Sequence, residues 1–443
     1  MNDSLLHRAL ARVVAVRPGE ARALLWSFAY FFCLLAGYYV LRPVRDEMGL
    51  ASGIKNLPWL FTATFLVMLA VMPVYGALVA KLQRRRFIPL VYHFFVVNIA
   101  IFWIFLTQSI ALGITAQVFF VWISVFNLFA VSVFWSFMAD LYAAEQGKRL
   151  YGFIAAGGSA GALLGPAIAA GLAEAIGRAN LLIIAGVLLE IAIFCAMRLE
   201  AAAAGLKGEN PRAAAGGAVR LGGNMIAGIV QIARSPYLLG IATWVALLSL
   251  AGTFLYFQQA NIVAALTDDP NKRTAIFARI DLAVSVVTLV VQFLATGKLI
   301  KRFGAGPAAA LLPLVFAAGF LALWATPMLW VVIAFQAAQR ATNFSISNPA
   351  REVLFTVVER EEKYKAKYVI DNVVFRGSDA VFGWLFAALR AAGLELSMIS
   401  LATVPVATAW AVLAIGLGRS QEQRARQREA SIAAGELPVT KQA

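Results

Sequence analysis

Twelve stretches of this chain are apolar over about twenty residues each, at roughly 23–41, 57–80, 87–107, 112–139, 151–174, 179–197, 236–260, 275–299, 307–325, 328–349, 368–390 and 397–418. Each is near the length a tilted helix needs to cross a bilayer. The pattern predicts an all-α polytopic membrane protein with about twelve transmembrane helices. Polar positions then matter most where they interrupt this pattern. From Gln336 to Asp379 two helical runs carry charge that lipid would exclude. Gln336, Arg340, Asn343 and Ser347 fall at i, i+4, i+7 and i+11, one face of a regular helix. Lys367 and Asp371 are spaced i, i+4, and Arg376 and Asp379 i, i+3, where opposite charges can meet.

The segments between apolar runs alternate in charge. Lys81 with Arg84 to Arg86, Lys148 with Arg149, Lys298 with Lys301 and Arg302, and the segment from Arg360 to Lys367 are basic, whereas the turns near Gln108 and Pro327 are neutral. The positive-inside rule places the basic segments and both termini in the cytoplasm. Residues 1–22 read as a basic amphipathic lead-in on the cytoplasmic surface rather than a signal peptide. The Ala- and Gly-rich connection 198–234 separates an N-terminal six-helix bundle, 23–197, from a C-terminal one, 235–418, and 419–443 is a polar cytoplasmic tail expected to be disordered. The loop GALVAKLQRRRF is echoed by ATGKLIKRFGAG, as two repeated halves of a major facilitator architecture would leave.

Other polar residues mark a pathway through this frame. Ser132, Ser136 and Asp140 make one stripe and Asp281, Ser285, Thr288 and Gln292 another. Tyr38, Arg42 and Arg45 fall at i, i+4 and i+7 at the end of the first run, with Asp46 beside them. An Arg at bilayer depth costs about 2.5–3.5 kcal/mol, so it faces protein or a polar cavity. If Arg42, Arg45, Arg279, Arg340 and Arg376 converge, with Asn343 beside them, they favour an anionic solute, because guanidinium meets phosphate or carboxylate through paired hydrogen bonds. The competing reading is that Asp46, Asp140, Asp281, Asp371 and Asp379 neutralise them as internal ion pairs. Gly157, Gly158, Gly161 and Gly165 in the fifth run read as a packing seam, with a phosphate-cradling loop as the sharper alternative.

Composition narrows the function classes. With 61% hydrophobic and 14% charged residues, the chain has too little polar material to cover a soluble globule. The net charge of +15 lies in short segments flanking apolar runs, which is topology rather than nucleic-acid binding. Cys33 and Cys195 both lie in apolar runs, and His7 and His93 are far apart in sequence, so neither a disulfide framework nor a metal or other cofactor is expected. No Ser-His-Asp set or Walker motif is present, and an enzyme is not expected.

Three segments carry a family resemblance. FSISNPAREVLFTVVEREEKYKAKYVIDNVVFRGSDAVFG, residues 344–383, resembles the signature of the ATP:ADP antiporter family, the nucleotide transporters of intracellular bacteria and plastids, distantly related to major facilitators. YYVLRPVRDEMGL resembles that family's N-terminal motif, and AEQGKRLYGF its turn between the fourth and fifth spans. The resemblance implies exchange of nucleotides or related anionic metabolites, by alternating access and without hydrolysis; a monomer in a bacterial inner membrane is the expected setting. It places Arg42, Arg45 and Asp46 where substrate enters, and Arg351, Glu352, Lys367, Asp371 and Arg376 in a second cluster. Arg45 and Arg351 stand where the family has lysines, Asn348 where it has an acid, and Ser378 where the exchangers have Lys. A different anionic substrate on the same fold is therefore an open alternative. So is a proton-coupled major facilitator for another metabolite or for drug efflux, with Asp140, Asp281 and Asp371 as carriers.

Overall fold

The computed structural model describes residues 10–11, 14–17, 19–81, 84–203, 225–295 and 305–433. Among these residues every regular element is helical: α1 Ala21–Ala51, α2 Leu57–Lys81, α3 Arg84–Thr107, α4 Leu112–Leu141, α5 Ala144–Ile176, α6 Asn180–Ala203, α7 Met225–Arg234, α8 Pro236–Leu266, α9 Pro270–Ala295, α10 Ala305–Ala325, α11 Leu329–Thr342, α12 Asn348–Leu354, α13 Arg360–Val369, α14 Phe375–Ala391 and α15 Leu396–Ala433, with short 3-10 turns at Ile54–Asn56 and Phe355–Val357. Ten of the helices are long and apolar enough to cross a membrane. The tenth and eleventh expected spans are present as interrupted helices. A π-helical turn at Asn343–Ser347 joins α11 to α12, and another at Ile370–Val374 joins α13 to α14.

The first interruption has a local cause. Pro349 has no amide hydrogen to give the Ser345 carbonyl, so the turn before it widens instead of continuing as α-helix. Within the second, the Asn372 side-chain amide donates to the Tyr368 carbonyl at 2.9 Å. The regular face expected from Gln336 to Ser347 therefore holds only as far as Asn343. Beyond it the wider turn rotates Ser347 off that register.

The chain divides into two compact units, Met1–Leu221 with Val263–Leu282, and Gly222–Ile262 with Ala283–Ala443. Thus the adjoining ends of α8 and α9 group with the N-terminal bundle. The central connection, expected as linker over 198–234, is helical through Ala203 and again from Met225; 204–224 lie outside the described residues, as does most of the echo ATGKLIKRFGAG.

In the first unit α1 is the axis, packed along α5 and α6 and against α4. The glycines of α5 make that contact close. A Cβ on Gly157 would lie 2.6 Å from the Phe28 carbonyl oxygen, one on Gly161 2.8 Å from the Ala36 nitrogen, and one on Gly165 2.6 Å from the Ala36 oxygen. These neighbours are backbone, so the seam reading holds. Gly161→Val should destabilise the purified protein by about 1–3 kcal/mol in thermal unfolding, as overpacked cores do. Gly171→Ala on the same helix, with nothing within 4 Å of the added carbon, should leave the midpoint unchanged or raise it.

In the second unit α10 packs along α15 and against α11. Its centre is aromatic: Trp244 meets Trp410 edge-on with centroids 5.6 Å apart, and Phe316 and Phe320 pack on Phe335 at 5.4 and 5.2 Å. The tail expected to be disordered is instead helical through Ala433. Gln, Glu, Arg and Ala dominate SQEQRARQREA and favour helix. The extension is also docked, because Arg424 lies over the Tyr237 ring at 4.7 Å and Arg428 Nη1 donates to the Thr356 carbonyl at 3.4 Å.

Candidate functional site

In the first unit α1 does not end near Leu41 as its apolar run suggests. It continues through Pro43 to Ala51, so Arg42, Arg45, Asp46 and Glu47 are helical residues. Arg42 Nη1 lies 3.4 Å from Asp281 Oδ1 at the start of α9, with the guanidinium near the Tyr39 ring at 5.8 Å. Arg45 is held tightly by its neighbour Asp46 at 2.5 Å and lies over the Phe120 ring at 5.0 Å. Arg279 is largely exposed and bound to Glu174 at 2.8 Å. Asp140 is next to last in α4, at the basic-loop end, away from Arg42 near the other end of α1.

Two glutamates that sequence reasoning passed over fix this unit. Glu47 is fully buried and accepts a hydrogen bond from Arg178, whose backbone N–H donates to Asn271 Oδ1 at 2.9 Å. That contact ties the α5–α6 turn to the start of α9. At the basic-loop end Glu20 accepts from Arg149 Nη2 at 3.0 Å, Gln146 Nε2 at 3.1 Å and the Arg17 amide at 2.8 Å. Burial alone would raise the Glu20 carboxyl, but these donors and the Arg149 charge outweigh it and hold it below the usual glutamate range. A carboxyl lowered on folding contributes stability above its unfolded value, roughly 4.3, and that contribution is lost as pH falls through the folded one. Acidification from neutral pH should therefore lower the melting temperature of the wild type more steeply than that of Arg149→Ala, in which the lowering is largely removed.

In the second unit the two interrupted helices carry the charged residues. Arg351 on α12 faces Asp371 in the second π turn at 3.3 Å, and Lys367 on α13 binds both oxygens of Glu352 at 2.6 Å. Lys367 and Asp371 thus take partners on α12 rather than each other, since helix α12 brings both opposite charges within reach. Arg376 and Asp379 do meet along α14, at 3.5 Å. Asp379 also accepts from Ser249 Oγ at 2.6 Å and Thr253 Oγ1 at 3.3 Å on α8.

Gln336 on α11 donates to Gln259 on α8, and Gln258 donates to the Leu396 carbonyl at 2.7 Å and Ser400 Oγ at 2.9 Å. Arg340 is half-buried one turn beyond Gln336. In the first π turn the Asn343 Oδ1, Ser345 Oγ and Ser347 Oγ atoms are buried and make no hydrogen bond among the described residues. Polar groups so placed are a cost to the fold and mark a segment shaped by something other than packing.

The arginines expected to converge are divided: Arg42, Arg45 and Arg279 in the first unit, Arg340 and Arg376 in the second. Glu20, Glu47 and Glu174 were missed because each lies at a helix end, where a carboxylate reads as an interfacial residue. Ser249 and Thr253 were missed because single hydroxyls in an apolar run carry no pattern. Cys33 and Cys195 are free, buried thiols.

Helices of this number and arrangement define a polytopic membrane protein of the major facilitator fold. A point mutant of the nucleoside transporter NupG is similar to this chain with a TM-score of 0.61 at 11% identity, over 91% of this chain and 99% of that one. A bacterial homologue of the human lysosomal transporter Spinster, inward-facing and unoccupied, is similar with a TM-score of 0.50 at 16% identity, over 92% and 94%. No family model matches the chain, and no curated protein does.

Proposed function

We propose that this chain is a secondary transporter of the bacterial inner membrane that moves an anionic solute by alternating access, most specifically a nucleotide in ATP/ADP-type exchange. The observation that carries the reading is a set of three Arg–Asp pairs, in or beside the spans, that are long for charge-assisted bonds: Arg42–Asp281 at 3.4 Å, Arg351–Asp371 at 3.3 Å and Arg376–Asp379 at 3.5 Å. A charge-assisted N–H···O bond runs at about 2.7–2.9 Å, so these guanidiniums are engaged below their capacity.

In this reading a phosphate or carboxylate of the solute takes the guanidinium, and the aspartate holds its place between solutes. The motifs of 344–383 support the nucleotide version, and a nucleoside transporter on the same fold supports a solute carrying base and ribose. Arg340 and Asn343 of the second unit also contact the solute. The protein works as a monomer with both termini cytoplasmic, needs no cofactor, and contacts lipid but no nucleic acid.

The test is thermal stabilisation of the purified protein by ATP, ADP, phosphate esters and dicarboxylates, since a ligand at a hundred times its Kd adds about 2.7 kcal/mol. Stabilisation by ATP or ADP that is lost in Arg340→Ala supports nucleotide exchange. A shift with another anion alone keeps the transporter and discards the nucleotide. No shift with any anion sinks the reading. A proton-coupled transporter is the second reading, favoured by the part-exposed Asp371 beside Arg351. Uptake driven by a pH gradient and lost in Asp371→Asn would select it.

A further inference from the structure

An ionisable pair stands on the outer face of the first unit, where α3 and α6 pack together. His93 Nε2 lies 3.5 Å from Glu190 Oε2, and the side chains are 53% and 46% exposed. Each is near the middle of its helix, in α3 Arg84–Thr107 and α6 Asn180–Ala203. Around them Phe94, Val97, Val187, Ile191 and Phe194 are also exposed, so this face meets hydrocarbon. An ionisable pair at that depth is costly and calls for a function.

Beside the pair is a cavity of about 540 Å³ lined by Glu190 together with Val96, Ile99, Trp103, Gly186 and Phe194. That volume suits a small ligand, and a mostly apolar wall with a single convergent polar group is the usual form of such a site. The hydrogen-bonding capacity of the site is one-sided. Trp103 Nε1 is spent on Asn180 Oδ1 at 3.0 Å, and His93 Nδ1 on the Pro89 carbonyl at 2.7 Å. His93 Nε2 faces one oxygen of Glu190, and what the cavity wall offers is a carboxyl acceptor.

We propose that this cavity binds a neutral, apolar molecule bearing a hydroxyl group, whose O–H donates to Glu190. An acceptor needs a donor, and hydrocarbon depth selects a donor without charge. No residue of the Arg–Asp pairs lines this cavity, so the ligand acts as a lipid-phase effector of the protein rather than as its transported solute.

The probe is farnesol, titrated into the full chain in lipid nanodiscs with Trp103-dependent fluorescence as the readout. Farnesol should bind roughly tenfold more tightly than its methyl ether, equal in shape but without the donor, because a site that bonds a hydroxyl rejects the analogue lacking it. In Glu190→Leu that preference should vanish. Equal binding of alcohol and ether, binding of neither, an unchanged preference in Glu190→Leu, or coverage of this face by a second copy in cross-linking would each overturn the proposal.

Discussion

Glu47→Ala should lower the stability of the purified protein by about 3–5 kcal/mol, the largest loss expected for any single substitution discussed above. Glu47 is fully buried and the Arg178 side chain is 15% exposed. Truncating the carboxylate leaves a largely covered guanidinium without its partner, and the unpaired charge, more than the lost attraction, sets the size of the effect. Replacing both residues, Glu47→Leu with Arg178→Leu, removes the unpaired charge and should recover most of the loss, since an apolar pair of similar volume is often as stable as a buried ion pair. Thermal unfolding of the two variants decides it. A double variant no more stable than the single one would mean that the Arg178 side chain stabilises the fold independently of Glu47.

Arg376→Ala should reduce uptake by roughly tenfold to a hundredfold, the equivalent of one or two hydrogen bonds to a charged group. Its contact with Asp379 is long and its side chain is more than a third exposed, so its stability cost is modest, about 1–2 kcal/mol. The two effects separate in a double-mutant cycle with Asp379→Asn. The asparagine keeps an oxygen for Ser249 and Thr253 but carries no charge, so stability should return in Arg376→Ala/Asp379→Asn while transport stays low. Recovery of transport together with stability would make Arg376 a structural counter-ion and remove it from the solute site.

The sequence read the frame correctly for a physical reason. Runs of about twenty apolar residues have one stable fate in a bilayer, because every backbone amide must be satisfied within the segment. The glycine seam of α5 was legible too, since small residues at helical spacing have few other uses in an apolar run. The two segments richest in charge within spans were visible as sites of interest, and both are where the helices break into π turns.

What the sequence alone determined, then, is the all-helical polytopic fold, its spans, and the identity of the charged residues inside them. Only the tertiary structure decided the pairing. Lys367 and Asp371 are four residues apart and still choose partners on α12, because neighbouring helices place side chains as close as one helical turn does, and no local pattern records which helices are neighbours. For the same reason Asp281 reaches Arg42, 239 positions away, Glu47 reaches Arg178, and Asp379 gathers two hydroxyls from α8. The helix register also failed beyond Asn343, since a period of 3.6 holds only while the backbone keeps its i to i−4 bonds, and Pro349 prevents that.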